Sequence, residues 1–157
     1  MSALPTLERR LVSPDPGATS ALGVVLAGAA RPGDLICLWG DLGAGKTHLA
    51  KAFGAGLGVT DTIVSPSFIL MAEYAGRLPL FHVDLYRLAD ATDVLAGGLI
   101  DDRQTAGVTI VEWPDRMASA LPVLRLDVVI DGAGDEPREI TVRAGTDALQ
   151  RYLEAIP

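Results

Sequence analysis

The chain has 157 residues, 49% of them hydrophobic and 21% charged, a balance that suits one globular domain with a sizeable core. Its net charge of −7 argues against loose, charge-driven binding to nucleic acid or an anionic membrane. The N-terminus lacks the basic and apolar regions of a signal peptide, and no apolar stretch reaches about 18 residues, so a cytoplasmic protein without a transmembrane helix is expected.

Thr6 to Val12 alternates enough for an edge strand. Ser13-Pro14-Asp15-Pro16-Gly17 is a turn that can cap a helix running to about Ala30. Asp34 to Trp39 follows a Pro-Gly turn as a short apolar run and reads as a buried strand. Its Cys37 is the single cysteine, so no disulfide within the chain is possible, and the residue reads as a small buried hydrophobe. Leu49, Ala50, Ala52 and Phe53 are spaced for a helix, with Gly54, Gly56 and Gly58 marking its end. After Ser65-Pro66-Ser67, Phe68 to Tyr74 and Leu78 to Leu85 form a hairpin about Gly76-Arg77. Thr92 to Ala96 fits a short helix stopped at Gly97-Gly98. Val108 to Glu112 is a second core strand, ended by Trp113-Pro114. Val123 to Ile130 and Glu139 to Arg143 are further strands, and Thr146 to Ala155 closes with a helix. Strands alternating with helices predict an α/β fold of the P-loop NTPase kind: a three-layer sandwich whose sheet is mostly parallel, with antiparallel hairpins added.

Between the strand at Trp39 and the helix at Leu49 lies Gly40-Asp41-Leu42-Gly43-Ala44-Gly45-Lys46-Thr47, a complete G-x-x-x-x-G-K-[ST] loop. Strand, glycine loop and helix is the context that this phosphate-binding motif requires. The glycines let successive backbone N–H groups turn toward phosphate oxygens, and the helix N-terminus adds a favourable dipole. The chain has two lysines, and one of them, Lys46, stands where it neutralises the β- and γ-phosphates. The Thr47 hydroxyl is the expected Mg²⁺ ligand. The chain has no asparagine, so the Asn-Lys-x-Asp signature that reads guanine is absent, which points to ATP.

A hard cation needs further oxygen ligands at neighbouring strand ends. Asp84 follows Leu80-Phe81-His82-Val83, and Glu112 follows Val108 to Val111. One of the two is expected to hold the metal while the other orients the attacking water. His82 is either a proton shuttle or a satisfied core histidine. Trp113 either stacks on a base or packs beneath the site, and Arg87 and Arg116 read first as exposed surface arginines.

The loop, then Ser65-Pro66-Ser67-Phe68, then His82-Val83-Asp84-Leu85-Tyr86-Arg87-Leu88, then Glu112-Trp113-Pro114, in this order, closely resembles the TsaE (YjeE) family. The resemblance covers roughly Asp15 to Arg138. It implies a small ATPase needed to make threonylcarbamoyladenosine in transfer RNA, working with two partners, TsaB and TsaD, and meeting the RNA only through them. TsaD would transfer the threonylcarbamoyl group, and the ATPase would reset or activate that complex.

By matching motif, Gly43, Ala44, Gly45, Lys46 and Thr47 would hold the phosphates, and Thr47 with Glu112 the Mg²⁺. Asp84 would serve the same site, and Ser65 and Ser67 would sense the nucleotide state. Asp15 and Arg138 would flank the nucleotide. The family usually has a second hydroxyl residue where this chain has His48, and threonine where it has Ser67. Two other functions fit a phosphate loop: a small-molecule or nucleoside kinase, and a nucleotide-gated binding module with negligible turnover.

Overall fold

The computed structural model describes residues 7–63, 71–86, 102–117 and 121–157. The helix expected over Thr92 to Ala96, the Ser65-Pro66-Ser67 segment, Phe68 and Arg87 lie outside them.

Seven strands form one sheet, in the order β1-β7-β6-β2-β5-β4-β3. They are β1 (Leu7–Ser13), β2 (Leu35–Trp39), β3 (Met71–Tyr74), β4 (Leu80–Asp84), β5 (Val108–Glu112), β6 (Leu126–Asp131) and β7 (Arg138–Ala144). β2 runs parallel to β5 and β6, and β4 runs parallel to β5. The pairs β1–β7, β6–β7 and β3–β4 are antiparallel. The sheet is thus parallel around the glycine loop and antiparallel at both edges, as the sequence pattern predicts. β5 is buried along its whole length, which explains why Val108, Ile110 and Val111 put apolar side chains on both of its faces.

Helix α1 (Pro16–Gly28) begins at Asp15, whose side chain accepts a hydrogen bond from Ala18 N at 2.8 Å, and Pro16 occupies its first turn. Helix α2 (Lys46–Gly56) packs against α1 at very close range. A Cβ on Gly23 would stand 2.8 Å from Ala52 Cβ and 2.9 Å from Leu49 O. A Cβ on Gly56 would stand 2.7 Å from Ala27 Cβ. Gly54 lies in the last turn of α2 and Gly56 is its final residue, at the end that the sequence suggests, and both are contact points as well. Only Gly58, with φ +81°, lies beyond the helix and ends it in the left-handed conformation.

Two other boundaries shift. β6 starts at Leu126, and Val123 and Leu124 before it are 76% and 67% exposed. The C-terminal segment is a tight 3-10 turn over Asp147–Leu149 followed by a short helix α3 (Gln150–Ala155).

The helices cover one face of the sheet, with Leu22, Leu26, Leu49, Phe53 and Tyr152 meeting Ile36, Leu80, Val108 and Ile110. Cys37, Val83, Leu85, Val111 and Met117 form the core on the other face. Side chains alternate along a strand. His82 and Asp84 therefore share the helix-covered face with Leu80, and Glu112 shares it with Val108 and Ile110. That places three polar side chains beneath the start of α2. Among the described residues, no helix is long and apolar enough to cross a membrane.

Candidate functional site

The glycine loop connects β2 to α2. Gly43 has φ +83° and Gly45 has φ +115°, values that L side chains rarely adopt. Nothing lies within 4 Å of a Cβ built at either position, so conformation alone demands glycine there and the space above the loop stays open. Gly40 has a different reason. A Cβ there would stand 2.7 Å from Ile130 O, so the loop seats tightly on the end of β6.

Lys46 opens α2 and is 5% exposed. Its Nζ donates to Gly40 O at 2.6 Å and to Asp41 O at 2.9 Å, and it lies 4.1 Å from the centroid of the Trp113 ring. Burial holds its pKa below the usual lysine value, against the opposing pull of Glu112, Asp115, Asp41 and Asp84. The ring over the ammonium supplies a cation–π contact.

Thr47 donates its hydroxyl hydrogen to Glu112 Oε1 at 2.7 Å. Glu112 is 2% exposed, and its second oxygen lies 2.6 Å from His82 Nε2. Asp84 is the register partner of Glu112 on the adjacent strand, and its Oδ1 accepts from Tyr86 N at 3.0 Å. Trp113 has φ +60°, alone among the described non-glycine residues in being left-handed. Such a conformation costs of order 1–3 kcal/mol and persists only where the surroundings impose it. Here the ring lies between Lys46 and Tyr86, whose ring centroid is 4.9 Å away.

Two cavities flank the loop. One, of about 270 Å³, is lined by Leu42, Lys46, Thr47, Asp84, Tyr86, Glu112 and Trp113. The other, of about 380 Å³, is lined by Asp15, Pro16, Ala44, Gly134, Asp135, Glu136 and Arg138. Gly43, Gly45 and His48 line both. His48 Nε2 lies 2.7 Å from Ser20 Oγ and 3.0 Å from Pro16 O, which ties the start of α2 to the start of α1.

The expected site residues thus fall into two groups on either side of one loop. Arg138 stands at the second cavity, but its guanidinium donates to backbone carbonyls: Ala44 O and Gly134 O, both at 2.9 Å, and also Glu136 O. It clamps the glycine loop to the β6–β7 turn. Arg116 lines neither cavity. Ser65 and Ser67 lie outside the described residues. Sequence reasoning did not single out Tyr86 or the 134–136 turn. Tyr86 sits two residues after Asp84 in the same motif, which is the signal that would have found it.

The donor set suits a small hard cation. Thr47 Oγ1 and the carboxylates of Glu112 and Asp84 are all oxygen donors at the mouth of the loop. Among the described residues, no three His, Cys, Asp or Glu side chains could enclose a metal by themselves.

The family model described as "Threonylcarbamoyl adenosine biosynthesis protein TsaE" matches residues 13–140. The chain is 45% identical over 151 residues to a tRNA threonylcarbamoyladenosine biosynthesis protein TsaE from Bacillus subtilis (strain 168), covering 96% of this chain and 93% of that one. It is 39% identical over 133 residues to the protein of the same name from Treponema pallidum (strain Nichols), covering 85% and 98%. A crystal structure of YdiB from Bacillus subtilis superposes with a TM-score of 0.78 at 37% identity, covering 97% of this chain and 95% of that one. The fold agrees with these matches, and the chain belongs to the TsaE family of threonylcarbamoyladenosine biosynthesis proteins.

Proposed function

We propose that the protein binds ATP with Mg²⁺ along the Gly40–Thr47 loop and hydrolyses it to ADP and phosphate. We further propose that it does so in the cytoplasm, on the TsaD–TsaB complex that modifies transfer RNA, and touches the RNA only through that complex. The observation that carries this reading is the 2.7 Å contact between Thr47 Oγ1 and Glu112 Oε1 at the mouth of the loop.

The phosphates lie over Gly43, Ala44 and Gly45, and the base lies toward Asp15 and Arg138. Lys46 leaves the carbonyls of Gly40 and Asp41 and turns its ammonium to the β- and γ-phosphate oxygens. Thr47 and Glu112 would hold the cation, which when bound would supply positive charge against the phosphate oxygens, with Asp84 serving the same site. The carboxylate not engaged with the cation orients the attacking water. Trp113 and Tyr86 wall the phosphate cavity and limit the entry of bulk water. His48 replaces a hydroxyl at the α-phosphate, where its backbone N–H remains a donor. Ser65 and Ser67 sense the nucleotide state on the strength of the family resemblance.

ATP turnover by the purified chain, alone and with TsaB and TsaD, beside a Lys46→Ala control, tests the proposal. Turnover that the partners stimulate and the variant lacks is the expected result. Turnover that ignores the partners, or survives the loss of Lys46, overturns it.

A further inference from the structure

His82 has no part in the roles assigned above, yet it is 1% exposed and touches the central carboxylate of the site. We infer that His82 is a positioning residue for Glu112: its Nε2–H holds Oε2, so that Oε1 is aimed at Thr47 and the phosphate cavity. The inference rests on the ATPase role proposed for Glu112.

The register makes the contact specific. Asp84, not His82, is the direct partner of Glu112 across β4 and β5, whereas His82 lies opposite Ile110. Both side chains share the helix-covered face, so Glu112 meets His82 on the diagonal and not by default of pairing. A carboxylate 2% exposed needs a donor for each oxygen, because burying an unpaired charge is costly. Thr47 serves Oε1 at 2.7 Å, and His82 serves Oε2 at 2.6 Å. Were Thr47 to hold a cation, its hydrogen bond to Glu112 would be released, and His82 would remain as the anchor that fixes the carboxylate. Groups that orient a metal-binding side chain in this way typically carry a 10–100-fold effect on metal affinity or activity.

The other ring nitrogen separates this role from proton relay. His82 Nδ1 is buried and, among the described residues, has no hydrogen-bond partner. A relay needs a group on both sides of the ring, and among the described residues the chain of contacts stops at Nδ1.

The test uses two amides. Glutamine at position 82 places its side-chain N–H near the position of Nε2, and asparagine places it near Nδ1, out of reach of Glu112. His82→Asn is expected to lower kcat for ATP by about 10–100-fold with KM changed less than about two-fold, and His82→Gln is expected to recover most of the loss. A residue that only fills space would impair both variants in proportion to their loss of melting temperature. The nitrogen-15 imidazole spectrum of the metal-free, nucleotide-free protein gives a second readout: Nε2 bears the hydrogen and that signal moves in Glu112→Gln. Wild-type turnover left intact by His82→Asn, equal impairment of the two variants, or a bare Nε2 overturns the inference alone. Wild-type turnover no higher than that of Lys46→Ala overturns instead the ATPase reading beneath it. If neither variant folds, the spectrum decides.

Discussion

Thr47 and Glu112 are 65 positions apart in sequence, yet their side-chain oxygens lie 2.7 Å from one another. One stands in the first turn of α2 and the other is the last residue of β5. The contact closes the gap between the loop and the strand end, and it selects the first substitution to make. Glu112→Gln keeps the shape and removes the charge. ATP binding is expected to survive, while turnover falls by about 10²–10⁴-fold. Threonylcarbamoyladenosine formation should fail with it. A variant that binds ATP, does not hydrolyse it and still supports modification would favour a nucleotide-gated module.

Lys46 is held in a place that disfavours its charge. Its pKa is lowered in the fold, chiefly by burial. The charged form is therefore penalised at neutral pH, and the penalty disappears as pH rises through the lowered pKa toward the ordinary lysine value near 10.5. Lys46→Met is expected to raise the melting temperature of the nucleotide-free protein at neutral pH and to abolish ATP binding. The gap in melting temperature between variant and wild type should narrow as pH approaches 10.5. A gap that widens, or a variant less stable at pH 7, would count against the burial argument.

Cys37 lies at the centre of β2 with no exposed surface. Burial, with Asp127 nearby, raises its pKa from 9.0 to about 12. The thiol should resist alkylation in the native protein at pH 8 and react on unfolding. A raised thiol pKa means that its share of stability is complete below pH 9 and is lost as pH climbs from 9 to about 12. Cys37→Ala should remove that part of the alkaline destabilisation, read as melting temperature against pH.

Asp15 has two roles that one pair of variants can separate. It caps α1 through Ala18 N and also lines the larger cavity. Asp15→Ala is expected to cost about 1 kcal/mol, a drop of roughly 2–4 °C in melting temperature. Asp15→Ser should restore the cap and the melting temperature. If ATP affinity stays altered in the serine variant, the carboxylate contributes to binding beyond the cap. If affinity returns with stability, the cap is its whole contribution.

The glycine loop and both acids were legible because their signals are local. The loop is one contiguous motif, and Asp84 and Glu112 each end an apolar run. Parallel pairing of β4 with β5 then sets the two acids side by side. What escaped the sequence depends on encounters between distant segments. Gly54 and Gly56 look like helix stops in one dimension, and only the fold shows that Gly54 also packs on Ile63 and Leu80, and Gly56 on α1. The 134–136 turn joins the larger cavity because Arg138 draws it to the loop. The pairing of Trp113 with Lys46 requires a left-handed backbone that no local pattern announces.

The two ends of the described chain meet across the sheet: Leu7 pairs with Ala144, and Ser13 with Arg138. During synthesis β1 emerges first and has no partner until β7 leaves the ribosome. α1 packs on α2 and can form before β7 is made. The wall of the larger cavity also needs Gly134, Asp135, Glu136 and Arg138, so it closes only after those residues have been made. Contacts that span this much sequence slow folding. A growing chain would hold an exposed edge strand throughout, a period in which a chaperone or a premature partner could engage it. The glycine loop and its acids lie between those ends, so the phosphate half of the site can assemble before the half that lies against Asp15.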